Sequence, residues 1–166
     1  MSCLGGHLAI TESEAMALRA CKFDQELIEA VSDLENFYFE NFQQYYGDCD
    51  KSWDGMHRAL TDGLFDFTNG EYPLSHVVMG GERLYQDTDW IVVMKTASEV
   101  RDIAKALDSI DEATFKSRYW SIPQKKCDWD LSADDCVYTW DNLRGVRELF
   151  NRAAAENRYV LFSASQ

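Results

Sequence analysis

Residues 90–94 read Trp-Ile-Val-Val-Met, five apolar residues in a row with β-branched side chains at their centre. A strand with one wet face alternates apolar and polar residues. This one does not, so both of its faces must be covered. Thr96 follows at once, with Glu99 three residues on, which is the spacing of a capping box. Val100, Ile103, Ala104 and Leu107 then recur at steps of three and four, the period of a helix with one buried stripe. A chain carrying such a pair must build a sheet and lay helices on it.

The remaining elements are read the same way. Residues 4–10 form a short apolar first strand, and Thr11 with Glu14 opens a second capping box for a helix to about residue 20. From Asp24 the apolar positions Leu27, Val31, Leu34, Tyr38, Phe42 and Tyr45 predict one long helix ending near Gly47. Asp50 or Ser52 caps a helix over 53–61, which Gly63 stops. Residues 64–72 are a loop, and 75–79 a short segment broken by Gly80-Gly81. Asp111 caps a helix over 112–119. Residues 121–137 form a long connection, a length often tied to function. Asp141 caps the last helix, whose stripe is Leu143, Val146, Leu149, Phe150 and Ala153; Asn157 closes it and 159–163 is a final strand. The 166 residues suit one domain. The expected class is α+β, a small mixed sheet with several helices packed on it.

Charge narrows the function. Between Lys22 and Lys51 lie eight acids and no base: Asp24, Glu26, Glu29, Asp33, Glu35, Glu40, Asp48 and Asp50. Between Lys126 and Arg144 lie Asp128, Asp130, Asp134, Asp135 and Asp141, again with no base. These thirteen account for the whole formal net charge of −13. Such a balance argues against nucleic-acid backbones and anionic membranes, which need a basic face. No apolar run approaches the ~20 residues of a membrane span, and Met1 to Thr11 lacks a signal-peptide pattern, so a cytoplasmic protein is expected. The five cysteines (Cys3, Cys21, Cys49, Cys127 and Cys136) form no Cys-x-x-Cys pair and read as free thiols. No cofactor or metal is expected. Residues 128–135 look faintly calcium-like but lack the central glycine and the closing glutamate.

Two catalytic or ligand motifs are weighed. Asp54 and His57, one helical turn apart and next to Trp53, would form an acid–base pair or partial metal site if His7 or His76 came near. The plainer reading has His57 packing at the core edge and bonding a backbone carbonyl, with Asp54 at the helix N-terminus. Gly80-Gly81-Glu82-Arg83 would offer backbone N–H groups to an anion if a helix began there; a tight turn explains the glycines equally well.

Residues 50–63, Asp-Lys-Ser-Trp-Asp-Gly-Met-His-Arg-Ala-Leu-Thr-Asp-Gly, are followed by Pro-Leu-Ser-His-Val-Val-Met-Gly-Gly-Glu at 73–82. Together with the strand and helix over 90–110 and the stretch from Leu143 into the last strand, this order resembles the YfbM-like family of small bacterial proteins of unknown function. The chain departs from it at Gly6-His7, at Arg58-Ala59 and in the acidic insert around 128–135. The resemblance implies an α+β fold and a bacterial cytosolic setting, and carries over no catalytic residue.

The functional expectation is a non-enzymatic binding protein. Its acids and rings (Glu35, Tyr45, Tyr46, Asp48, Asp50, Asp128, Trp129, Asp130, Asp134, Asp135, Tyr138 and Trp140) would meet a basic protein partner, most concretely a toxin domain whose active-site cleft an immunity protein occludes. The alternatives are a small enzyme or ligand-binding domain centred on Trp53, Asp54 and His57, and a homodimer joined through exposed rings.

Overall fold

The computed structural model describes residues 4–165. β1 (Gly5–Ile10) leads into α1 (Glu12–Ala20) and α2 (Asp24–Asn41). β2 (Tyr46–Asp50) and α3 (Trp53–Leu60) follow, then β3 (Glu82–Arg83) and β4 (Trp90–Lys95). α4 (Ala97–Asp108), α5 (Glu112–Trp120) and α6 (Ala133–Ala155) precede β5 (Tyr159–Ser165). The strands form one sheet in the order β2-β1-β5-β4-β3, and every pairing is antiparallel. The fold is thus α+β as expected, but the sheet is antiparallel rather than mixed.

Both sheet faces are covered, which is what the unbroken run at 90–94 requires. Val92 and Met94 join Leu8, Ile10 and Leu161 on one face, under Ala15 and Leu18 of α1 and Leu27, Val31 and Tyr38 of α2. Ile91 and Val93 join Ala9, Val160 and Phe162 on the other, under α3, α4, α5 and α6. α6 supplies the longest stripe, Cys136, Thr139, Trp140, Leu143, Val146, Leu149, Phe150 and Ala153, all buried. Gly5 lets the indole of Trp53 lie on the strand: a Cβ there would stand 2.6 Å from Trp53 Cδ1.

Three of the predicted helix caps form, but at α3 the N-cap Ser52 makes no side-chain capping bond and its hydroxyl donates to the Cys49 carbonyl instead. Thr11–Glu14 and Thr96–Glu99 both form full capping boxes, and Asp111 accepts from the Thr114 N–H. Three boundaries differ from expectation. α2 ends at Asn41, short of the expected end near Gly47, and residues 46–50 pair with β1 as an edge strand. Phe42 therefore sits at the helix end, 40% exposed, instead of in the core. α6 begins at Ala133, capped by Ser132 accepting from the Asp135 N–H, so Asp141 lies within the helix and the preceding connection is shorter. Gly80-Gly81 leads into β3 and not into a helix. Gly81 has φ +121°, a conformation that favours glycine, and a Cβ on Gly80 would stand 2.6 Å from the Ser75 carbonyl oxygen, so a tight turn accounts for both.

The described cysteines, Cys21, Cys49, Cys127 and Cys136, are all free thiols; Cys3 lies outside the described residues. No helix among the described residues is long and apolar enough to cross a membrane.

Candidate functional site

The antiparallel sheet puts β2 at its edge, beside the N-terminal half of α6. That packing joins the end of the first acidic stretch to the second. The Tyr138 hydroxyl donates to Asp50 Oδ2 at 2.6 Å and accepts weakly from the Lys51 N–H at 3.4 Å. Asp48 Oδ1 accepts from the Asp50 N–H at 2.8 Å, holding Asp50 at φ +46°, a left-handed conformation that aspartate tolerates. Burial and the Asp50 bond push the Tyr138 phenol up to about 12, so it stays a donor.

The 128–135 segment closes over the start of α3. Trp129 Nε1 donates to Asp135 Oδ2 at 3.1 Å, and Tyr119 donates to the same oxygen. Gln124 clamps the backbone on both sides of Asp130, donating to the Trp129 carbonyl at 2.7 Å and accepting from the Leu131 N–H at 2.9 Å. The Arg58 guanidinium lies 5.6 Å from the Trp129 ring, a cation–π contact. Between these parts is a shallow hollow of about 130 Å³, lined by Lys51, Ser52, Gly55, Trp129, Asp135, Tyr138 and Thr139. Asp48, Asp128, Asp130 and Asp134 are exposed and Asp50 is half-buried.

The other residues of the expected surface are turned inward or lie elsewhere. Trp140 is 8% exposed and packs against Phe115, so it is core. The helical period puts it on the same stripe as Cys136 and Leu143, a placement its sequence position allowed. Asp135 turns inward to Tyr119 and Trp129. Tyr45 donates to Glu156 at 2.6 Å, and its ring lies 3.7 Å from the Arg158 guanidinium carbon. Tyr46 is half-buried beside Phe39. Glu35 is on α2, across the sheet from α6, hydrogen-bonded to the Ser163 hydroxyl. The acids of α2 and the acids of α6 are thus on opposite layers, and only the β2 end of the first stretch meets the second.

Trp53, Asp54 and His57 are engaged internally. Trp53 is buried against Phe162. Asp54 forms a 2.6 Å ion pair with Arg58; burial raises its carboxyl pKa and the guanidinium opposes that. His57 Nε2 faces two acceptors, the Asp66 carbonyl at 3.0 Å and Asn69 Oδ1 at 2.8 Å, so it carries the proton and ties down the 61–70 loop. Its Nδ1 has no partner among the described residues. Burial lowers its pKa and keeps it neutral.

Sequence reasoning missed a second buried polar set, on the α6 face of the sheet. His7 Nε2 donates to the Val77 carbonyl at 2.8 Å, and Lys95 Nζ donates to the Val78 carbonyl at 2.5 Å. Both side chains are fully buried. Burial lowers Lys95 to about 7, and burial with the nearby Lys95 charge lowers His7 to about 3. The two strands that flank β5, β1 and β4, are thereby pinned to consecutive carbonyls of the 74–80 segment. The signal was Lys95, which continues the buried strand with a basic residue. No group of three or more His, Cys, Asp or Glu among the described residues is arranged to hold a metal.

The sequence matches, over residues 1–163, the family described as Domain of unknown function (DUF1877). The chain belongs to this family. In fold it is similar to the crystal structure of YfbM from Escherichia coli, a protein of unknown function, with a TM-score of 0.67 and 16% identity. The alignment covers 97% of this chain and 99% of that one. No curated protein matches the sequence. Membership of the DUF1877 family brings a fold without an assigned activity, so the chemistry has to be argued from the residues themselves.

Proposed function

We propose that this protein is a non-enzymatic binding module that applies an acidic face to a basic protein partner. In its most concrete form it is an immunity protein covering the basic active-site cleft of a bacterial toxin. The observation that carries this reading is the Tyr138–Asp50 hydrogen bond, which brings β2 and the start of α6 together. The hollow there has Trp129, Asp135 and Tyr138 in its walls, and the exposed Asp48, Asp128, Asp130 and Asp134 and the half-buried Asp50 belong to the same three segments of chain that form it. Clustered acids raise the rate of encounter with a basic surface, and rings at the centre of a contact slow its release. The clamp of Gln124 on the 129–131 backbone supports the same reading, because a pre-ordered loop loses less entropy on docking.

The test is co-expression with the product of the adjacent gene, capture at low salt and measurement of Kd against salt. A basic partner should be retained at low salt and shed as salt rises. The combined Asp48→Asn, Asp50→Asn, Asp128→Asn and Asp130→Asn variant should weaken it at least about tenfold, equal to about 1.4 kcal/mol. A Kd indifferent to these four changes removes the proposal.

A further inference from the structure

A larger hollow lies on the opposite face of the sheet, and its origin is a break in the packing pattern. On the α1–α2 side the sheet presents Leu8, Ile10, Leu161, Val92 and Met94. Toward one end of that face the row changes: Gly6 and Val92 flank Ser163 in register, and none of the three fills the space as a leucine would. α2 changes with it. Its buried stripe is Leu27, Val31 and Tyr38, while the neighbouring positions Ile28, Ser32 and Glu35, four and three residues apart, face the gap. The result is a cavity of about 470 Å³, within the range of small-molecule sites.

The walls choose a charge. Glu35 and Asp89 supply carboxylates, Ser32 and Ser163 hydroxyls, Tyr85 and Trp90 rings packed edge to face at 5.9 Å. None of the described residues lining the cavity is basic. Tyr85 donates to Asp89 Oδ1 at 2.9 Å, which orients that carboxylate. Glu35 accepts from Ser163, a hydroxyl that is neutral and leaves the carboxylate charge uncompensated. A carboxylate held in a half-buried gap against apolar surface loses hydration, and burial raises the Glu35 pKa accordingly. An ammonium or guanidinium group restores the lost interaction, and the Trp90 ring offers such a cation a second favourable face.

We propose that the cavity between α2 and strands β4 and β5 binds a small organic cation, with Glu35 as its charge partner and Ser32 and Ser163 as hydrogen-bonding groups. The proposal is independent of the acidic face at β2 and α6, which is on another layer of the fold.

Calorimetric titration of the full chain with agmatine and with putrescine tests it, alongside the Trp90 indole resonance as a local reporter. At least one cation should bind saturably with a Kd of about 1 mM or tighter and shift that resonance. Glu35→Gln should weaken binding about tenfold or more. Ser163→Val, which removes the hydroxyl and narrows the gap, should weaken binding by a similar factor, and binding should fade as pH falls through the Glu35 titration. Asp48→Asn with Asp50→Asn should leave it unchanged. No saturable binding of either cation up to about 10 mM overturns the proposal. So does equal affinity in Glu35→Gln, or an equal loss in the Asp48/Asp50 variant, which would mean attraction to the net charge alone. Ser163→Val alone decides the matter if Glu35→Gln fails to fold by circular dichroism.

Discussion

The two faces of the sheet treat buried polar side chains in opposite ways. On the α6 face, His7, Lys95 and His57 are turned inward, and each has a backbone carbonyl as partner. On the α2 face, Glu35 and Ser163 bond to each other beside an open cavity. The first arrangement is turned inward: each side chain donates to a backbone carbonyl of the 66–78 region. The second leaves a charge facing a gap. Burial of an ionisable group is therefore a weak sign of a site. What matters is whether its hydrogen-bonding needs end inside the protein.

Core truncation should separate the faces most strongly. Phe162→Ala removes a ring that touches His7 and Trp53, and should lower unfolding stability by about 3–5 kcal/mol in urea denaturation. Glu35→Met should change stability by less than about 1.5 kcal/mol in either direction, because it breaks only a peripheral pair. A loss from Glu35→Met as large as that from Phe162→Ala would show that Glu35 is structural, and the contrast would fail.

The inward-turned set also has a pH signature. His7 titrates near 3 in the folded state and near 6.5 when unfolded, so the unfolded chain binds the extra proton between those values. Stability from this residue is complete above about pH 6.5 and is lost as pH falls toward 3, with a slope approaching about 1.4 kcal/mol per pH unit. His7→Gln should flatten that limb. Lys95, lowered from 10.5 to about 7, works in a higher window: its contribution grows as pH rises from about 7 to 10.5. The difference between wild type and Lys95→Met across that window isolates it. Matching curves in both comparisons would mean that these groups are hydrated, not sealed.

Helix caps should ignore the distinction between faces. Thr11→Ala, beside the α2 layer, and Thr96→Ala, beside the α6 layer, should each cost about 1 kcal/mol by thermal or urea unfolding. Tyr138→Phe should have the smallest effect on stability, under about 1 kcal/mol, since the bond to Asp50 is at the surface. Its consequence should show in partner affinity instead, because it frees the two acidic segments from each other.

How much could be read beforehand follows from the range of each interaction. Both capping boxes, the Asp111 cap and the strand at 90–94 depend on residues within a few positions, and all form as predicted. Residues 46–50 do not obey that rule. Their sequence, Tyr-Gly-Asp-Cys-Asp, has little strand character, and pairing with β1 decides their state. The start of α6 was missed because Ser132, Asp134 and Asp135 read equally well as loop or as cap and first turn.

The sequence by itself determined the types of the elements other than β2 and β3, the demand for cover on both sheet faces and the concentration of acid in two stretches. Those properties follow from local geometry, hydrophobic period and composition. Only the tertiary structure decided that Asp50 meets Tyr138 while Glu35 lies on the far layer, that Trp140 is core, and that Lys95 ends on the Val78 carbonyl. Each of these joins or separates residues distant along the chain, and the side-chain period of a strand or helix names a face without naming what covers it.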